Sequence, residues 1–455
     1  MTRPASLAPP RPSAAARWPW AFALAVALAI AGGVALDRWR NPETPALDPA
    51  TLRPWFGSAT FAEAVAAADQ GVAGRRETLA LAPAQWVSGE ALASALIMRW
   101  RLTGDYTDLD EAQRLLDAGV AETSGPSGPL VAAAALAVLV HRLDRADAAL
   151  TRFADAVAPE SREAADAVVL AGDVALQRGM LDAARAKYAL AVRIAPSATS
   201  DVRLALFPAI RGDSRRAAAE LEAMIATPRQ APIVLAGLML QRANLAYAGG
   251  EWTAAGRWIG AAQRAFPGWW LADVYAAQQF ALAGRTGDAI RAYEIVARRT
   301  GRPEVQDALA HLLRLKGQRE ASRAWAAKAA TGWEARAQMF PEAVIHHRAE
   351  HELAVGSAAR ALAYAQTDAA ARPQAPNLVL LARALLSAGR AREALAALDR
   401  ADAQGWVGAG QHMARADVLA ALGDSAASEA ARARAEALNP RAADPRTRLI
   451  WFGHD

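Results

Sequence analysis

The sequence predicts an all-α fold, an α-solenoid of helix-turn-helix hairpins preceded by one N-terminal transmembrane helix, on three observations. Of 455 residues, 53% are hydrophobic but only 6% aromatic. The excess is carried by 123 alanines, which favour closely packed helices over sheets. An uncharged apolar run fills residues 18–36, and beyond residue 170 glycines recur at a nearly constant interval. A chain this long exceeds what one core needs, so several domains or a repeat array are expected.

Residues 1–17 form a short basic segment with Arg3, Arg11 and Arg17. The run Trp18–Leu36 follows; at a rise of ~1.5 Å per residue it spans ~28 Å, close to the hydrocarbon thickness of a bilayer. Trp18, Trp20 and Trp39 stand at its edges, where amphipathic rings favour the interface. Pro19 falls in the first turn, where its missing N–H costs little. A cleaved signal peptide is the competing reading, with Gly33-Val34-Ala35 as a cleavage region, but the run is longer than the ~7–15 residues of a signal core. The expectation is a single-pass anchor in the inner (cytoplasmic) membrane with the body on the periplasmic side. Residues 37–58, with Pro42, Pro45, Pro49 and Pro54, then read as a stiff linker, because proline disfavours helix before and at its own position.

Charge and cysteine exclude several functions. The net charge of +5 is concentrated in residues 1–40, which hold five arginines against Asp37, leaving 46 basic and 45 acidic residues beyond. Arginines and acids interleave there, as in Arg390-Ala391-Arg392-Glu393, so no basic face for nucleic acid is expected. The absence of cysteine removes disulfides, thiolate nucleophiles and Cys-ligated metals.

The repeat is read from Gly179, Gly212, Gly250, Gly284, Gly317, Gly356, Gly389 and Gly423, spaced by 33, 38, 34, 33, 39, 33 and 34 residues. Seven positions before each stands Gly172, Ala205, Ala243, Ala277, Ala310, Ala349, Ala382 or Ala416; five after each stands another alanine or serine. Such a unit holds two helices of three to four turns joined at a glycine that supplies the left-handed turn conformation. Larger groups nine residues past the glycine, among them Tyr188, Leu221, Ile259, Tyr293 and Leu398, fill the seam. Pro196, Pro267, Pro373 and Pro440 end the second helix.

This pattern resembles the tetratricopeptide repeat, in which two helices alternate with a period of about 34 residues. The best copy, Ala165 to Pro196, carries Gly172, Gly179, Ala184, Tyr188, Ala191 and Pro196 at the family's positions, while Val168, Ala171 and Ala175 replace its usual Trp, Leu and Tyr. About ten units are expected over 89–440, the one around Leu143 lacking its turn glycine and the one around Gly317 weak. Capping helices are expected at 59–88, and a tail at 441–455 whose Leu449-Ile450-Trp451-Phe452 folds back on the last hairpin. The resemblance implies a membrane-anchored bacterial envelope scaffold that binds a protein or peptide on its concave face. First-helix residues would line that face, here Asn244, Tyr247, Gln278, Asp307, His311, Arg314, His346, Glu350 and Arg383. Secretion, cytochrome or polysaccharide biogenesis are the settings it suggests. With no lysine at these positions, a clamp for acidic chaperone tails is disfavoured.

Catalysis has no visible home: phosphate loops, nucleophile elbows and dinucleotide fingerprints are all missing from the sequence, and no cofactor is expected. The alternative function is metal binding by His346, His347, Glu350 and His351, since His347 and His351 share a helical face at a spacing of four. Asp105, Asp108, Asp110 and Glu111 lack the calcium-loop spacing and read as a helix start. The aromatic stretch Trp252–Phe280 is divided between core and binding surface, with at most one of the adjacent Trp269 and Trp270 expected to be buried. Self-assembly through alanine-rich faces is a third possibility, and the sequence leaves the oligomeric state open.

Overall fold

Leucine- and alanine-rich segments bounded by glycine, proline and short polar caps become helices throughout the computed structural model, which describes residues 47–154, 162–227 and 230–453. The chain divides into Met1–Asp48 and Pro49–Asp455. The basic segment and the expected membrane span fall outside the described residues, among which no helix is long and apolar enough to cross a membrane.

The described body contains 21 α-helices and no strand. A first helix, α1 (Phe61–Leu81), begins at Thr60, whose hydroxyl accepts from the Glu63 amide as an N-cap. Ten hairpins follow: α2 (Trp86–Thr103) with α3 (Tyr106–Glu122), α4 (Leu130–Leu139) with α5 (Leu143–Ala154), α6 (Arg162–Gln177) with α7 (Leu181–Ile194), and α8 (Ala198–Ile210) with α9 (Ser214–Ile225). Then come α10 (Pro232–Ala248) with α11 (Trp252–Ala265), α12 (Trp270–Leu282) with α13 (Thr286–Thr300), and α14 (Pro303–Leu315) with α15 (Arg319–Met339). The last are α16 (Pro341–Val355) with α17 (Ala358–Ala371), α18 (Ala375–Ser387) with α19 (Ala391–Ala403), and α20 (Ala409–Ala421) with α21 (Ser425–Leu438).

The recurrent small residues lie at the seam between the two helices of a hairpin. At Gly172 an added Cβ would stand 2.5 Å from the buried Tyr188 ring, so this seam admits nothing larger than hydrogen. The α4–α5 hairpin, whose sequence lacks the turn glycine, bends at His141 instead, with φ of 64°. Its amide bonds to the Val138 carbonyl and the Arg142 amide to Ala137, the same pattern that Gly179 and Met180 make in the α6–α7 hairpin. The weak unit around Gly317 has a second helix of 21 residues, α15, which absorbs the long spacing of 39 to Gly356.

First helices of successive hairpins touch one another directly, as α14, α16, α18 and α20 do, so they form the inner layer of a curved stack. The curvature brings hairpins about 200 residues apart into contact, and the array closes on itself as stacked coils. The Arg302 guanidinium lies against Gly104 and donates to the Leu102 carbonyl at 3.4 Å. Arg142 bonds Glu342 at 3.2 Å, and the Val407 amide bonds the Ile210 carbonyl at 2.9 Å. Two aromatic pegs fasten the coils. Phe340, only 1% exposed, enters the core made by Val72, Leu92, Leu96, Leu109 and Leu136, and Trp406 packs against both the α6–α8 core and the α16–α20 core. The sequence expectation that one of Trp269 and Trp270 must be exposed is corrected: both are 8% exposed. Arg302 lies 3.9 Å over the Trp270 ring, and Phe266 packs edge-on against both Trp269 and Phe61 of α1.

Candidate functional site

The inner layer carries a groove whose floor is built by α10, α12 and α14, and a segment of the same chain lies in it. Residues 439–453 leave α21 and run across to hairpins that precede them by some 140 to 190 residues. They do not fold back on the last hairpin as the sequence suggests. The Asn439 side-chain amide donates to the Tyr247 carbonyl at 3.3 Å, and Arg441 donates to Gly250 at 3.1 Å. Arg441 and Arg446 lie over the Trp252 ring, at 4.7 and 4.9 Å from its centroid, and Asp444 pairs with Arg446 at 2.6 Å. After a short 3-10 turn, Pro445–Leu449, the segment extends into the groove.

There Gln278, fully buried on α12, reads its main chain. Its Oε1 accepts from the Trp451 and Phe452 amides at 2.7 and 2.9 Å, and its Nε2 donates to the Phe452 carbonyl at 3.0 Å. One carboxamide thus satisfies three backbone groups, and burial makes each bond costly to lose. His311 Nε2 meets the Arg448 carbonyl at 2.8 Å, and its ring lies 5.2 Å from that of Trp451. The Phe452 ring is 6.0 Å from Tyr275 and 6.5 Å from Tyr293, which stacks on it. Burial and the neighbouring Tyr247 and Tyr275 raise the Tyr293 hydroxyl well above its ordinary value, and burial does the same for Tyr247. Tyrosine hydroxyls are neutral at pH 7 in any case, and these rings suit aromatic side chains and main-chain amides.

Four of the nine expected groove residues converge here. Asn244, Gln278 and His311 turn side chains to the segment and Tyr247 its backbone carbonyl; a Cβ added at Gly453, which has φ of 78°, would run into Asn244 Oδ1 and the Tyr275 hydroxyl. Asp307 does not join them. It is buried, accepting 2.6 Å bonds from Trp333 Nε1 and His351 Nδ1. His346 bonds the buried Asp368 at 2.9 Å, and Glu350 bonds His347 at 3.1 Å. Arg314 and Arg383 are exposed beyond the filled part of the groove. Of the other lining rings, the sequence reads Tyr293 as a seam residue, and Tyr275 falls within the aromatic stretch Trp252–Phe280 without being singled out for the groove.

The proposed metal set does not assemble. His351 turns inward to Asp307, His347 stays outside, stacked 5.2 Å from Trp333, and His346 stands edge-on to it against Asp368. A shared helical face at the backbone does not bring the rings together, because a different acid claims each imidazole. Among the described residues, no group of three or more His, Cys, Asp or Glu is placed to hold a metal ion. Burial works against protonated His351, but the Asp307 hydrogen bond and charge outweigh it and raise its pKa. The pair is a buried structural link between α14 and α16.

No family model matches the chain, and no curated protein matches it in sequence. Among solved structures it is similar to yeast Tom70, with 15% identity over 81% of this chain and 87% of that one and a TM-score of 0.40. It is also similar to the APC/C hetero-tetramer Cut9-Hcn1, with 14% identity, 85% and 93% coverage and a TM-score of 0.32. The BtubC protein of P. vanneervenii gives 18% identity, 46% and 91% coverage and a TM-score of 0.31. In architecture the described residues form an all-helical stack of consecutive hairpins.

Proposed function

We propose that this protein is a scaffold that binds a protein or peptide partner along its inner face, tethered by residues 18–36 to the inner membrane with the repeats on the periplasmic side. The observation that carries the binding part is Gln278, whose buried carboxamide is committed to the main chain of the terminal segment. Side chains that bond main-chain groups in a groove lined by Tyr247, Tyr275 and His311 are the chemistry of peptide recognition, where main-chain bonds give affinity and aromatic anchors give specificity. The tether rests on the length and flanks of the apolar run. A role in envelope assembly, secretion, or cytochrome or polysaccharide biogenesis follows from that placement together with the absence of catalytic motifs.

The test is affinity capture from solubilised membranes of the native source, with the full chain and with a chain carrying Asn244→Ala, Gln278→Ala and His311→Ala. A partner retained by the first and lost by the second, at equal helicity, is the expected result. Equal capture by both would place the binding surface elsewhere. For the tether, deleting residues 18–36 should move the protein from the alkali-resistant membrane fraction to the supernatant; continued retention would reject it.

A further inference from the structure

The segment in the groove is held in a way that specifies a ligand. Gln278 contacts only main-chain atoms of Trp451 and Phe452, so it would accept any side chains on a segment that turns two successive amides toward it. Selection comes from three other features. The Phe452 ring enters the slot between Tyr275 and Tyr293. The Trp451 ring lies against His311. At the next position a Cβ would collide with Asn244 Oδ1 and approach Tyr275 Oη to 3.0 Å, and the backbone is left-handed, so glycine is required. The slot therefore reads an aromatic pair followed by a glycine at which the backbone turns.

Resting on the peptide-groove reading, we propose that this slot is a recognition site for a partner protein segment bearing two adjacent aromatics followed by glycine, and that residues 450–453 fill it in cis as a stand-in. The remaining contacts of the segment support this division. Residues 439–446 grip the hairpin edges through Asn439, Arg441 and Arg446, outside the slot, so they can stay docked while 450–453 lift away. The anchored stretch holds the aromatic pair near the slot at an effective concentration on the order of millimolar. A competing segment must overcome that concentration, so the closed protein responds only to a partner that binds well or is itself held close.

The experiment uses a fluorescent synthetic peptide with the sequence of residues 445–453, and the full chain. With Trp451→Ala and Phe452→Ala in the chain, the slot is vacated and the peptide should bind saturably by anisotropy, at least about tenfold more tightly than to the unaltered chain. A further Gln278→Ala should abolish binding, and replacing the peptide's own glycine by alanine should weaken it by about tenfold or more. Should the double variant fail to fold, Gly453→Val vacates the slot by collision alone and gives the same reading. A folded, vacated chain that ignores the peptide, or binding indifferent to Gln278→Ala and to the peptide's glycine, would overturn the proposal. So would a dimeric unaltered chain that becomes monomeric on vacating the slot without binding the peptide, since the segment would then serve a second copy. If the peptide fails while partner capture still depends on Asn244, Gln278 and His311, the groove reading stands and only the aromatic-pair ligand falls. If the peptide binds while capture ignores those residues, the reverse holds.

Discussion

His141 shows what a single left-handed position costs when it is not glycine. Burial, with Arg372 nearby, lowers its imidazole pKa to about 3, so the fold holds it neutral, with Nδ1 2.9 Å from the Gln177 carbonyl oxygen. The unfolded chain takes up a proton below about pH 6.5 that the folded chain refuses, so stability falls as pH drops from there toward 3. His141→Gly keeps the backbone without strain; by urea titration its stability at pH 7 should lie within about 1 kcal/mol of the parent, and its loss between pH 6.5 and 4 should be visibly smaller. Gly172 is the opposite case, a small residue fixed by contact. Gly172→Leu should destabilise by about 1–3 kcal/mol through collision with Tyr188, read as a lower urea midpoint. The second position was legible, because the seven-residue offset from the turn glycine marks it in every unit. That His141 would stand where glycine was missing was not, since histidine, though enriched among non-glycine residues there, adopts that conformation too rarely to mark a turn by itself.

At the scale of elements, α14, the residue that caps it and α15 are joined by a charged cluster rather than by alanine alone. Arg302 pairs with Glu304 at 2.7 Å, Arg336 pairs with it at 2.9 Å, and Arg336 also lies over Tyr106 and Trp333. Burial alone would push the Glu304 carboxyl up, but Arg336 and Arg302 overturn that and hold it at about 2. Its contribution is present above the unfolded value near 4.5 and is lost as pH falls from there toward 2. Glu304→Gln should therefore cost roughly 3 kcal/mol at neutral pH, where it strands two part-buried guanidiniums, and much less near pH 2; thermal melts at both pH values check this. The helices were legible from periodicity, glycine and proline. The destination of Trp270 was not, because the guanidinium that covers it, Arg302, belongs to the next hairpin; Trp269 packs on Phe266, which is itself covered by the distant Phe61. The histidine cluster misled for a related reason: spacing sets which face a residue shares, while buried acids on other helices, Asp307 and Asp368, decided where the His351 and His346 rings turned, and His347 pairs with Glu350 of its own helix.

For the molecule as a whole, the contacts that matter most are the ones no local pattern announces. The pitch of the stack sets which hairpins meet, and pitch is the sum of small rotations at every junction, so the groove's occupant could not be read from the repeat. The repeat makes legible that Asn244, Tyr247, Gln278 and His311 stand on first helices; that residues 450–453 would enter the aromatic slot of the α12–α13 hairpin required the superhelix itself. Phe340 and Trp406 fasten one coil to the next. Phe340→Ala with Trp406→Ala should leave helicity nearly intact while the radius of gyration measured by X-ray scattering increases; an unchanged radius would mean that polar bridges such as Arg302 to Leu102 suffice. The same stacking changes how the chain finds its fold. An open repeat array can nucleate anywhere and fray from its ends, because each unit knows only its neighbours. Here partners some 200 residues apart must be brought together before the pegs contribute, so loop closure adds to the barrier and the terminal hairpins are tied to the middle. The body should assemble slowly for a helical protein and then come apart as one unit, its end hairpins exchanging their amide hydrogens no faster than those at the centre.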